Sequence, residues 1–133
     1  MKQAIKFNWD DEIELVDANY NDYKVVWEIR NSKEVRDKFP NKKPIPLNEH
    51  KLFFKKKYKK YKIILYNKIK AGYIRDNGLI EIGIEKKYRS KGIGAKVIKT
   101  LKGKTIIMLN NQKSLGCFLK AGFEIRGFYL KND

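Results

Sequence analysis

The chain has 133 residues, of which 42% are hydrophobic and spread along its length; this fits one globular domain over residues 1–133 and excludes a disordered polymer. A single cysteine, Cys117, excludes an internal disulfide framework, and no apolar run is long enough to span a membrane. Lys and Arg total 31 against 15 Asp and Glu, and the resulting net charge of +16 suits nucleic acid, acidic lipid heads or a phosphate-rich cofactor, unless the lysines are only solvated surface.

Met1–Lys6 carries charge with no apolar stretch behind it, so no leader peptide is expected, and with the lone thiol this fits a reducing cytoplasmic setting. Glu12 to Ala18 reads as a first strand. Asn21 to about Arg30 reads as a helix, with Tyr23, Val26, Trp27 and Arg30 at helical spacing. Ser32 is placed to cap a short continuation through Phe39, after which Pro40, Pro44 and Pro46 enforce a loop. Asn48 is the expected cap of a second helix, with His50, Phe53, Phe54, Lys57 and Tyr61 on one side. The period then changes to two. Ile63–Tyr66 and Ile69–Ile74 form a hairpin across Asn67-Lys68, and Leu79–Ile84 follows the Asp76-Asn77-Gly78 turn. Gly92–Lys102 reads as a helix ended by Gly103, Thr105–Leu109 as a buried strand, Ser114–Ala121 as a helix closed by Gly122, and Phe123–Leu130 as a last strand. This order predicts an α+β chain with a mixed sheet and helices on both faces.

The segment Tyr88-Arg89-Ser90-Lys91-Gly92-Ile93-Gly94-Ala95 stands where a strand hands over to a helix. Glycines there let the backbone approach a ligand, and the free N–H groups of the first helical turn attract anions, with Arg89 and Lys91 beside them. A pyrophosphate fits such a turn. The segment lacks the Gly-Lys-Ser/Thr ending of a Walker A loop and the third glycine of a dinucleotide fingerprint.

Arg89-x-x-Gly92-x-Gly94-Ala95 resembles the acyl-CoA pyrophosphate loop of the GNAT superfamily of N-acetyltransferases. Glu81-Ile82-Gly83-Ile84 looks like that family's fourth strand. Leu109-Asn110-Asn111-Gln112-Lys113-Ser114 and Phe118-Leu119-Lys120-Ala121-Gly122-Phe123 resemble its second signature. The resemblance covers about Leu79–Tyr129 by motif and the rest by element order. It implies the GNAT acyl-CoA N-acyltransferase fold, a mostly antiparallel central sheet with splayed strands 4 and 5. It also implies acetyl-CoA as cofactor and direct transfer to a primary amine through a tetrahedral intermediate, with no metal. By the same resemblance, Ile82, Gly83 and Ile84 contact pantetheine and thioester. Arg89, Ser90, Lys91, Gly92, Ile93, Gly94 and Ala95 hold the pyrophosphate, and Asn111 bonds near the thioester end of pantetheine. Phe118 stands where the family usually has a Tyr acting as general acid to the thiolate; a water, Cys117 or Tyr129 then substitutes.

An alkylammonium has a pKa near ~10, so transfer needs a base. Glu81 is the first candidate, as it projects away from the Ile80/Ile82/Ile84 face, and His50 is the second. Trp27-x-x-Arg30-Asn31-x-x-x-Val35-Arg36 and Leu47-Asn48-Glu49-His50-x-x-Phe53-Phe54 look like the GNAT branch of nucleotide-linked amino-sugar (pseudaminic-acid-type) and ribosomal-protein N-acetyltransferases. Trp27, Arg30, Asn31, His50 and Phe53 are therefore the candidate substrate residues. Arg30, Arg36, Lys42 and Lys43 are available to a diphosphate, and Trp27, Phe53 or Phe54 to a base or sugar. A nucleotide-linked amino sugar is the expected acceptor, handled by a monomer or homodimer. The competing readings are a peptide or ribosomal-protein N-acetyltransferase, an acyl-CoA sensor, and a nucleic-acid module built on Lys55–Tyr61. The last is disfavoured, because lysines at a helix C-terminus are commonly only solvated.

Overall fold

Alternating side chains sort the central residues onto two faces of one sheet, and each face is closed by its own helices. The structure, a computed structural model, describes residues 4–6 and 12–132. Five strands lie side by side in sequence order, each antiparallel to the next: β1 (Ala4–Lys6), β2 (Ile13–Asp17), β3 (Tyr61–Tyr66), β4 (Ile69–Asp76) and β5 (Ile80–Ile84). The β3–β4 hairpin turns through Asn67 and Lys68, both at positive φ (50° and 67°), the backbone that a tight two-residue turn needs.

Ile13, Leu15, Ile64, Ile74 and Ile80 share one face, covered by Ile93 and Val97 of α4 (Ile93–Ile98). Val16, Tyr61, Ile63 and Tyr73 share the other, under Val26 and Ile29 of α1 (Tyr23–Arg30) and Phe54 of α3 (Leu47–Lys57). Each such side chain contributes roughly 1.5–3 kcal/mol by leaving water. A short α2 (Lys33–Arg36) follows α1, and α5 (Gln112–Lys120) packs beside α4. Before α1, Asn19 and Asp22 form a capping box, and buried Asp22 also pairs with Lys70 at 2.5 Å, tying the helix entry to β4.

Several elements differ from the expectations above. β1 falls in a segment without a clear period and was not anticipated. Pro46, not Asn48, stands at the N-cap of α3, because its fixed extended geometry starts the helix one residue before Asn48. Ser32 occupies the N-cap position of α2, but its hydroxyl donates to the Ile29 carbonyl at 2.9 Å and closes α1 instead. The helix expected over Gly92–Lys102 stops after six residues, and Gly103 lies beyond it at φ 136°. Residues 105–109 and 123–130 form no strand. The sheet among the described residues is therefore antiparallel throughout, without the expected parallel member.

Candidate functional site

The glycine turn leaves β5 through a 3-10 turn at Lys86–Tyr88 and enters α4 at Gly92. Ser90 and Gly92 both take positive φ (65° and 77°), which reverses the chain and turns the first N–H groups of α4 outward. The N–H groups of Ile93, Gly94 and Ala95 meet no acceptor among the described residues; the first N–H to close is that of Lys96, on the Gly92 carbonyl at 3.1 Å. A Cβ placed on Gly92 or Gly94 would meet nothing within 4 Å, so the turn is an open cradle. Lys91 is exposed at its lip. Arg89 is committed elsewhere: its Nε donates to the Ile84 carbonyl (3.0 Å) and its Nη1 pairs with Glu34 (2.9 Å), which fastens the turn to β5 and α2.

Beside the cradle runs a gap. The Ile80 N–H donates to the Lys104 carbonyl (2.8 Å) and the Thr105 hydroxyl to the Ile80 carbonyl (2.7 Å), so residue 80 turns its backbone away from β4. By the alternation of an antiparallel strand, Ile82 and Ile84 do the same, while Glu81 and Gly83 bond inward to β4. No backbone bond joins β5 to residues 105–109 beyond that first contact. The far end of this segment is instead held by Asn110, whose carbonyl accepts from Lys38 (2.7 Å) and whose amide donates to the Asp37 carbonyl (2.9 Å). The two segments are thus hydrogen-bonded at the Ile80 end only, and the outward amides of Ile82 and Ile84 meet no acceptor among the described residues. On the opposite side Gly83 lets neighbours close in: a Cβ there would lie 2.5 Å from the Tyr73 ring and 3.0 Å from Ile29.

The face under α1 and α3 carries a polar cluster. The Tyr73 hydroxyl donates to Glu81, and Arg30 Nε lies 3.9 Å from the same carboxylate oxygen. The Arg30 guanidinium lies 3.5 Å from the centre of the Phe39 ring. Arg75 stands opposite Glu81 in the β4–β5 register, its guanidinium 5.2 Å from Phe53 and 5.7 Å from Tyr61. Burial raises the Tyr73 hydroxyl well above the ordinary tyrosine value, with Glu81 adding to the effect, and pushes Tyr61 up to about 12. Both hydroxyls therefore stay protonated donors at neutral pH. His50 is 5% exposed and packs on Phe54 at 5.6 Å. Burial lowers its pKa below the usual histidine value, the Tyr23 backbone opposes this, and the Arg30 charge adds to it.

The structure thus brings Glu81, Arg30, His50 and Phe53 to one face and adds Tyr73, Arg75 and Tyr61. A cross-strand reading of the two hairpins, pairing Tyr61 and Glu81 with Arg75, was the signal that would have found these additions. Trp27 and Asn31 are used differently. Trp27 Nε1 donates to the Ile45 carbonyl (2.7 Å) and Asn31 Oδ1 accepts from the Ile45 N–H (2.6 Å), so both clamp the proline loop onto α1. Arg36 donates to the carbonyls of Asn31 and Lys42, both at 2.9 Å, in the same clamp. Phe54 is fully buried in the core. Asn111 is the N-cap of α5, accepting from Ser114 N–H at 3.4 Å. Phe118 is 3% exposed and meets Phe123 edge-on at 4.9 Å. Among the described residues, no cluster of His, Cys, Asp and Glu able to hold a metal occurs and no helix is long and apolar enough to cross a membrane.

No family model and no curated protein sequence matches the chain. Solved structures do. A GNAT-family acetyltransferase from Bacillus anthracis superposes with a TM-score of 0.73 at 15% identity, over 96% of this chain and 87% of that one. The microcin C7 self-immunity acetyltransferase MccE, in complex with acetyl-CoA and AMP, gives 0.67 at 16% identity, over 92% and 84%. The aminoglycoside acetyltransferase AAC(6')-Ib, in complex with coenzyme A and kanamycin, gives 0.66 at 17%, over 86% of each. With an open cradle after β5 and a parting beside it, the chain has the fold of the GNAT acetyltransferases.

Proposed function

We propose that the chain is an acetyl-CoA-dependent N-acetyltransferase and that its acceptor is a nucleotide-linked amino sugar. The open turn with its unpaired N–H groups, set at the mouth of the β5 gap, carries the reading. The N–H groups of Ile93, Gly94 and Ala95, with Lys91, hold the diphosphate of the cofactor. Arg89 and Ser90 shape the turn, and the outward amides of Ile82 and Ile84 pair with the pantetheine arm. Asn111 and Phe118 flank the far side. Bound there, acetyl-CoA supplies an acetyl group activated as a thioester.

This chain's own residues do the rest. Glu81, held by the Tyr73 hydroxyl, takes the proton from the incoming ammonium so that the amine attacks neutral. The Ile84 N–H faces the gap and stabilises negative charge growing on the acyl oxygen. His50 stays neutral and supports the acceptor wall, together with Arg30 and Phe53. Two similarities favour an amino-sugar acceptor: one neighbour is described with AMP bound and another with the aminoglycoside kanamycin. A groove for basic peptides would call for carboxylates, whereas this cluster sets two arginines against Glu81.

The test is direct. Calorimetric titration with acetyl-CoA is expected to show one saturable site. Addition of an amino-sugar nucleotide is then expected to release free CoA thiol faster than basic peptides do. Absence of acetyl-CoA binding overturns the assignment, and preference for peptides overturns the acceptor.

A further inference from the structure

We infer that the acceptor carries an oxyanion beside its amine and that Arg75, with Arg30, is the pair that recognises it. This rests on the transferase reading above and goes beyond it, since it assigns the anion subsite to a β4 residue.

Three buried polar side-chain atoms among the described residues have no hydrogen-bond partner: Arg30 Nη1, Arg75 Nε and His50 Nε2. They are not scattered. His50 packs on Phe54, Phe54 on Tyr61 (4.7 Å) and Tyr61 on Tyr73 (5.9 Å), whose hydroxyl meets Glu81 and so Arg30. Arg75 lies against the same Tyr61 ring. A buried unpaired N–H costs roughly 1–3 kcal/mol, more on a charged group, so such groups gather where something else completes them.

Charge points the same way. Two guanidiniums share this cluster with one carboxylate, since the buried Asp22 and Glu14 are taken up by Lys70 and Lys68, and Glu81 sits on the Arg30 side, already accepting from Tyr73. Arg75 makes no ion pair with Glu81 although the register sets them opposite each other; with the Asn77 amide turned so that its oxygen faces Arg75, the Nη2 donates to it at 3.1 Å. His50 is kept neutral by burial and cannot balance either arginine. Arg75 is therefore left without a counter-ion in a half-buried place with its Nε unpartnered, an arrangement that an arriving anion completes. The aromatic neighbours also suit the task. Phe39 stacks on Arg30, and Phe53 and Tyr61 flank Arg75, which fixes the guanidinium planes and leaves their N–H edges for a carboxylate or phosphate. An acceptor with its ammonium on Glu81 and its oxyanion between the arginines satisfies all three charges at once.

Binding and turnover are tested separately. In the full chain labelled with 15N-arginine, the Nε–H resonances of Arg30 and Arg75 are expected to shift saturably with inorganic phosphate or with acetate, and the ligand with the lower apparent Kd identifies which oxyanion the site prefers. Arg75→Met is expected to remove the shift at Arg30 while thermal melting confirms a folded protein. CoA release is then compared for glucosamine 6-phosphate against glucosamine, and for glycine against glycinamide. The anionic member of a pair is expected to lead by about tenfold in kcat/KM, and Arg75→Met, with Arg75→Lys as second variant, to cut that ratio to within about twofold. Resonances that do not respond, or a ratio unchanged in both variants, overturn the inference. Silent resonances with equal turnover of both members sink it and leave the transferase reading intact. Saturable shifts with no turnover of any acceptor keep Arg30 and Arg75 as an oxyanion subsite and overturn the transferase reading, and with it the claim that the anion belongs to an acceptor.

Discussion

The cradle and the polar face proposed for the acceptor lie on the two sides of β5, and they are built from different material. The cradle consists of backbone: three N–H groups presented by a turn at positive φ, with side chains only at its lip. The acceptor face consists of side chains from α1, α3, β3, β4 and β5 locked together by rings and a hydrogen bond. A backbone site needs only the right turn and space beside it, so two glycines specify most of it. A side-chain site needs five elements packed in register, so on the proposed reading a change in any of them alters the acceptor without disturbing the cofactor.

The sharpest way to break this contrast is at Gly94. It has ordinary φ and nothing within 4 Å of where a Cβ would stand, so Gly94→Glu fits the fold, and a carboxylate in the first turn of a helix is favourable. In the cradle, however, it fills the space and repels a diphosphate. Acetyl-CoA affinity is expected to fall by about a hundredfold or more, equal to about 2.8 kcal/mol, with a melting temperature within about 3 °C of the parent. Undiminished affinity by calorimetry would remove the cradle from the cofactor site.

On the other side of β5, Glu81→Gln keeps the shape of the side chain and an acceptor for the Tyr73 hydroxyl but cannot take a proton. A fall in kcat of about a hundredfold is expected, with acetyl-CoA affinity unchanged. Activity within about threefold of the parent would leave Glu81 as a partner of Arg30 and no base. The two variants together make the division testable: one loses binding, the other chemistry.

That division also explains what was legible in the sequence. The reading of the turn as a pyrophosphate cradle came from the family resemblance of Arg89-x-x-Gly92-x-Gly94-Ala95, while the turn itself was legible, because glycines between a period-two strand and a helix favour a reversal at positive φ. The central hairpins and both core helices were legible for the same local reason. The acceptor face was half legible. Alternation placed Glu81 on this face, and Arg30, His50 and Phe53 came from the motif resemblance, but Tyr73 and Arg75 become neighbours of Glu81 only through cross-strand register, which a single strand does not display. Trp27 and Asn31 are polar and aromatic as ligand residues often are, yet they serve the Ile45 peptide, because a loop with three prolines has few donors of its own and must be held from outside. Residues 105–109 and 123–130 have the composition of strands but not the pairing, and composition carries no information about partners.

His50 offers a smaller effect that separates wall from base. Its folded pKa lies below 6.5, so between those two values the unfolded chain binds more protons than the folded one. Stability is therefore complete above about pH 6.5 and is lost as pH falls through that value toward the lowered one. Melting curves at pH 7.5 and 5 are expected to differ more for the parent than for His50→Gln. Equal differences would mean that the ring is not held neutral by burial.

The smallest effect is expected at Phe118, where the resemblance points to a Tyr as proton donor. The Phe ring is 3% exposed and edge-on to Phe123, so α5 uses it to seat the segment that follows. Phe118→Tyr adds a hydroxyl to a packed site, which costs about 1–3 kcal/mol if it stays unpartnered and less if it turns toward the gap. A CoA thiolate already leaves without much help, so the rate of CoA release is expected to equal or exceed that of the parent even where the melting temperature drops. A fall in rate of more than about tenfold in a folded variant would mean that the position works through packing alone and that proton delivery to the thiolate lies elsewhere.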